Sequence, residues 1–210
     1  MSNTLWTTWT HWAKGGLTLK RFANPDDPGF ISCLSIYAGR MGEDIKTDTN
    51  EIVYWLERNP DLHCYGVFVD DKPVGYIQGS YIGRGVFVVE YVASVKGNPI
   101  RGVAGGLVAD IRRCYGAGVV IVAEIPLHMP ALGRLARRLG LVRYEHGIWD
   151  QPPCGFGSSM SSIPHWIYSY GGLDGRGFAG VIRLLKCHYL LWYKPLMGED
   201  DFAMYSKLCF

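Results

Sequence analysis

Glu90-Tyr91-Val92-Ala93-Ser94-Val95-Lys96-Gly97-Asn98-Pro99-Ile100-Arg101-Gly102-Val103-Ala104-Gly105-Gly106-Leu107-Val108-Ala109-Asp110-Ile111 decides how this chain is read. The order is an apolar strand, a short turn, a glycine-rich loop and the start of a helix. A helix that opens behind glycines presents free backbone N–H groups to an anion. Without a Cβ in the way, the backbone can approach a phosphate closely. The stretch therefore predicts a seat for a phosphorylated cofactor.

Around this centre the chain alternates strand and helix patterns. Leu17 to Phe22 alternates like a strand, and Asn24-Pro25-Asp26-Asp27-Pro28-Gly29 carries turn and helix-start chemistry. Phe30 to Met41 has near-helical apolar spacing. Thr47-Asp48-Thr49 can cap a second helix, which Asn59-Pro60 ends. Cys64–Val69 and Val74–Tyr81, joined by Asp70-Asp71-Lys72-Pro73, predict a hairpin, and Gly85 to Val95 a long third strand. After the loop come a helix from about Val103 to Tyr115, a strand over Val119–Ile125, an arginine-rich helix over Pro130–Leu139 and a strand over Leu141–Trp149. Beyond Asp150 the pattern weakens. His165–Tyr170 predicts a strand, Phe178–Lys186 a helix, and the apolar run within Cys187–Leu196 a buried strand.

The chain has 210 residues, 48% of them hydrophobic and 19% charged, which supports a compact fold with a sizeable core. A net charge of +2 argues against a dedicated nucleic-acid binder. Residues 1–80 hold 7 Lys/Arg against 10 Asp/Glu, whereas residues 101–150 hold 7 Arg against 4 Asp/Glu. The basic half thus begins at the glycine loop. The six cysteines show no Cys-x-x-Cys and no zinc-ligand spacing, so no metal site is expected and reduced thiols in a cytoplasm fit. No signal peptide or membrane span is read. Three segments follow: a tryptophan-rich arm over 1–16, a core over 17–150, and an aromatic, glycine-rich extension over 151–210. Trp6, Trp9 and Trp12 read as one face of a short helix, an arm on a partner, or packing on the protein's own core.

The order of elements over about residues 17–150 resembles the GCN5-related N-acetyltransferase (GNAT) superfamily. Arg101, Ala104 and Gly106 meet its Arg/Gln-x-x-Gly/Ala-x-Gly/Ala loop, and Arg137-Arg138-Leu139-Gly140-Leu141 is similar to its late helix end. The resemblance implies a mixed α/β fold: a central, mostly antiparallel twisted sheet flanked by helices, with a C-terminal extension. It implies acetyl-CoA as acyl donor and direct attack of a primary amine on the thioester. Backbone N–H groups of Gly102, Val103, Ala104, Gly105, Gly106 and Leu107 would hold the pyrophosphate, with Arg101 adding charge. Val92, Ala93 and Ser94 would pair with the pantetheine arm like an added strand. Arg112, Arg113, Arg134, Arg137 and Arg138 are looser candidates for the 3′-phosphate.

An attacking ammonium must first lose a proton, so a carboxylate beside the acyl group can act as general base. Glu90 is the first candidate, on the strand face with Val88 and Val92, and Glu124 the second. The family's late-helix tyrosine falls at Ala136, which departs from the pattern, and Tyr91, Tyr115 or Tyr144 would have to substitute. The acceptor would be an amine-bearing small molecule or protein. Glu43, Asp44 and Asp48 hint at a cationic one. A non-catalytic GNAT-shaped module in a larger assembly is the alternative, and a homodimer or assembly partner stays open.

Overall fold

A computed structural model describes residues 9–14, 16–42, 46–97, 100–151, 163–170, 177–196 and 198–209. The chain divides into two compact units, Met1–Tyr81 with Val88–Val119, and Ile82–Phe87 with Val120–Phe210.

The first unit holds strands β1 (Trp9–Lys14), β2 (Leu17–Phe22), β3 (Leu62–Val69), β4 (Lys72–Tyr81) and most of β5 (Val86–Ser94), in that spatial order. β1 to β4 pair antiparallel in succession. Within the tryptophan-rich segment, Trp9–Lys14 is thus a strand and not a helix face. Thr10 pairs with Lys20 and Trp12 with Leu19, so one extra residue bulges between them.

The β3–β4 connection is tighter than the sequence suggests. Only Asp70 and Asp71 turn, both left-handed (φ 47° and 61°), as a two-residue hairpin with the right twist requires. Helices α1 (Pro28–Arg40) and α2 (Thr49–Arg58) start where the sequence places caps. The Asp27 carboxylate accepts from Gly29 N–H at 2.7 Å with Pro28 opening the helix, and Asp48 accepts from Asn50 N–H at 2.7 Å.

The core of this unit has two sides. On one, Phe30, Cys33 and Tyr37 of α1 meet Phe22, Phe68 and Tyr76, with aromatic edges at 5.4–5.6 Å between ring centres for Phe22–Phe30 and Tyr37–Tyr76. The fit is close: a Cβ on Gly66 would fall 2.6 Å from Phe68 and 2.7 Å from both Cys33 and Phe22. On the other side, Leu19, Tyr65, Val67, Val74 and Ile77 enclose Val103. There a 3₁₀ turn, Ile100–Val103, runs into helix α3 (Ala104–Tyr115).

The second unit holds β6 (Val120–Pro126), helix α4 (Pro130–Arg138), β7 (Val142–Gln151), β8 (Ile163–Tyr170), α5 (Gly177–Tyr193), a 3₁₀ turn (Lys194–Leu196) and α6 (Glu199–Cys209). β8 lies between β6 and β7 and pairs antiparallel with both. The sheet of this unit therefore draws its middle strand from beyond residue 150. The expected strand over Cys187–Leu196 is corrected to the continuation of α5. Val181, Leu185, Tyr189 and Trp192 are buried at spacings of a helical face, while Leu191 is 69% exposed. A short apolar run suits a buried strand or a buried helix equally, so its periodicity alone could not decide.

Candidate functional site

The glycine loop leads into α3 as the sequence reading requires. Val103 stands before the helix with no side-chain cap, and the first turn carries no acid. Its N-terminal N–H groups and partial positive charge are presented without a competing carboxylate in that turn. Val103 is fully buried, and Leu107 packs on the same core cluster as Val92. These two side chains anchor the turn in the core. Gly102 and Gly105 are exposed, and a Cβ built on Gly105 would meet nothing within 4 Å. The approach to the turn is open there. Arg101 lies in the turn, and its side chain is outside the described residues.

β5 brings Val92, Ala93 and Ser94 to the strand end that precedes this turn. Val95 N–H bonds Val74 O at 2.9 Å, toward β4. The C=O and N–H of one trans peptide point in opposite directions, so the Ser94 carbonyl, which shares its peptide group with Val95 N–H, faces away from β4. It already has a partner, because Arg40 Nε at the end of α1 donates to it at 2.9 Å. The sequence reading missed Arg40, since nothing in local patterning links residues 54 positions apart.

Glu90 sits half-buried on β5, and the buried Gln78 holds it: Gln78 Nε2 donates to Glu90 Oε2 at 2.7 Å. Tyr76 Oη in turn donates to Gln78 Oε1 at 2.7 Å. One amide thus orients the carboxylate, and a buried phenol orients the amide. Gln78 alternates within β4 like any inward residue, and only its polarity in an apolar strand could have singled it out. Beside Glu90, the Tyr91 hydroxyl meets Thr47 Oγ1 at 2.7 Å, and Tyr37 Oη bridges Thr47 N (2.8 Å) and O (3.1 Å). The α1–α2 connection is therefore tied to the strand that bears Glu90.

Other candidates separate. Asp48 caps α2, while Glu43 and Asp44 fall outside the described residues. Glu51, next on α2, has its pKa pushed up to about 7 by burial and by neighbouring Asp48. Glu124, in the second unit, accepts from the Trp149 indole N–H and from Tyr189 Oη, the latter at 2.6 Å. Ala136, at the family's tyrosine position, is buried with Ile125 and Tyr168. The substitute tyrosines have other partners: Tyr91 binds Thr47, Tyr115 meets His63, and Tyr144 stacks on Phe178. Of the looser arginines, Arg113 pairs with Asp110 at 2.6 Å and Arg137 reaches Tyr168 Oη at 3.4 Å. Cys33 and Cys64 are buried with pKa values pushed up to about 12, chiefly by desolvation, so both stay thiols. No described helix is long and apolar enough to cross a membrane.

Scanned against protein-family models, the sequence matches none, and no curated protein matches it. Solved structures do match. One is assigned to the GNAT-family acetyltransferases of Bacteroides thetaiotaomicron, with 17% identity over 72% of this chain and 85% of that one, TM-score 0.57. A second is an acetyl transferase from Salmonella typhimurium that modifies the N-terminal serine of ribosomal protein L7/L12, with 12% identity over 77% and 98%, TM-score 0.57. A third is the Microcin C7 self immunity acetyltransferase MccE in complex with acetyl-CoA and AMP, with 13% identity over 75% and 93%, TM-score 0.52. At such identities the likeness is one of fold. The chain has the mixed α/β fold of the GCN5-related N-acetyltransferases, as its order of elements implied.

Proposed function

We infer that this protein is an acetyl-CoA-dependent N-acyltransferase. The observation that carries this reading is the uncapped, acid-free start of α3, with open space over Gly105, directly after a strand that holds an oriented carboxylate. Backbone amides of Gly102 to Leu107 bind the pyrophosphate, and Arg101 adds charge. Val92, Ala93 and Ser94 line the pantetheine arm. Glu90 takes the proton from an attacking primary amine, directly or through a water, while Gln78 keeps the carboxylate aimed. The acceptor is an amine-bearing small molecule or protein, and the setting is cytoplasmic, in keeping with the thiols of Cys33 and Cys64.

Acetyl-CoA should raise the thermal midpoint of the full chain, because ligand that binds only the folded state stabilises it. Glu90→Gln should lower turnover on an amine panel by about 100-fold or more near pH 7. Less should be lost near pH 9, where free amine is plentiful. Equal losses at both pH values would remove Glu90 from the base role.

A second reading, a non-catalytic module of the same fold, is favoured by one observation. Ala136 is buried where the family tends to place a tyrosine, so that position supplies no proton to a leaving thiolate. Acetyl-CoA binding without turnover, unchanged in Glu90→Gln, would select it.

A further inference from the structure

Behind the donor cradle, the C-terminal half of α3 is held by a chain of polar side chains that the transfer reaction does not use. His63 on β3 is 4% exposed. Its Nδ1 lies 2.9 Å from Tyr65 Oη, and its Nε2 lies 2.8 Å from Tyr115 Oη. Tyr65 Oη stands 2.9 Å from Asp110 Oδ2, and Tyr115 Oη 3.3 Å from Asp61 Oδ1. The sequence Asp110–Tyr65–His63–Tyr115–Asp61 thus has four gaps, each needing one proton. Both phenols keep theirs, since burial first, and the adjoining carboxylate next, push the pKa values of Tyr65 and Tyr115 up. They supply two protons and a neutral imidazole one. An imidazolium supplies two, and only then is every gap filled. With both phenols donating to their carboxylates, a neutral His63 leaves one ring nitrogen facing a phenol oxygen with no proton between them.

Among the described residues, two carboxylates and two guanidinium groups flank this chain. Asp110 faces Arg21 of β2 and Arg113 of α3, and Asp61 faces Tyr115. Arg21 Nη1 lies 3.4 Å from His63 Nδ1, 3.6 Å from Asp110 Oδ2 and 3.1 Å from Cys114 Sγ, and Arg113 Nη2 lies 2.6 Å from Asp110 Oδ1. Tyr81 of β4 stacks on Tyr115 with ring centres 4.1 Å apart. With two anions against two cations, it is the proton count along the chain that sets the direction. We propose that His63 is a positioning residue that ties α3 to β3 and to the turn before it more firmly when protonated, so that the helix presenting the donor cradle is best anchored at mildly acidic pH. The part concerning the donor rests on the transferase reading; the part concerning anchoring does not.

The sign follows from linkage. A proton bound more tightly in the folded chain stabilises it below the titration of His63, and that contribution fades as pH rises through it. The test compares wild type with His63→Gln in the full chain, without ligand, at about pH 5.5 and about pH 8, the range in which histidine titrates. The wild-type lead in thermal midpoint should be greater at the acidic pH by roughly 3 °C. Asp61→Ala, which removes the last acceptor and leaves the ring in place, should erase most of that difference, and it carries the test if His63→Gln fails to fold. A lead that is independent of pH, or greater on the alkaline side, overturns the proposal. Wild type should also bind acetyl-CoA about threefold more tightly at the acidic pH when referred to Asp61→Ala. If wild type binds no acetyl-CoA at all, the donor reading fails, and the ligand-free midpoints still decide the role of His63.

Discussion

The two units place their carboxylates in different company. In the first, Glu90 is held by an amide, Gln78, on the neighbouring strand β4, 12 residues away. In the second, Glu124 is held by a tryptophan and a tyrosine, the latter from a helix 65 residues away. The first arrangement is built from one hairpin and stands on local order. The second exists only once β7 and α5 have both assembled with β6. Chemistry that depends on few long-range contacts is easier to place from sequence, and harder to lose to a distant substitution.

Three substitutions probe that contrast. The largest effect is expected from Gly105→Val, which puts a branched side chain in the open approach to α3. Acetyl-CoA binding should drop below detection by calorimetry while the fold survives, because nothing lies within 4 Å of the added Cβ. Retained binding would move the cradle elsewhere and end the contrast.

Gly133→Ala acts on the second unit. Its Cβ would come 2.6 Å from Oη of Tyr168, a ring that is itself 2% exposed and cannot swing away. Overpacking costs about 1–3 kcal/mol, and the helical gain of alanine over glycine returns about 1 kcal/mol, so a net loss of roughly 1 kcal/mol is expected. Denaturant unfolding should register it with acetyl-CoA affinity unchanged. A parallel loss of affinity would show the units to be energetically joined at the donor site.

The smallest effect is expected at Glu51 in the first unit. Its pKa of about 7 means that the folded chain prefers this carboxyl protonated, so the cost of its charge grows as pH rises from the ordinary carboxylate range through 7. Glu51→Gln should therefore stabilise the protein by about 1 kcal/mol at alkaline pH, discounted for its partial exposure, and by almost nothing in mild acid. Stabilisation of the same size at both pH values would contradict a titrating Glu51.

The sequence disclosed much of the first unit because its signals are local. Asp27 with Pro28 and Asp48 announce helix starts, the glycines after β5 announce a turn, and the alternation in β2 to β5 needs no distant partner to be seen. In the second unit the decisive facts are not local. Tyr189 to Tyr193 is apolar on every side, which conceals whether its period is two or 3.6. The bulge between Thr10 and Trp12 is visible only in the pairing with β2. Arg40, Gln78 and the proton chain through His63 were illegible for a related reason: each depends on which side chains meet across strands.

Gly66 carries a lesson in leverage. Helix α1 rests so close to β3 that the seat has room for a hydrogen and not for a methyl. The far end of the same rod, 13 residues long, delivers Arg40 to Ser94 and Tyr37 to Thr47. A single missing carbon at the fulcrum thus sets how far the tip extends over the strand that carries Glu90.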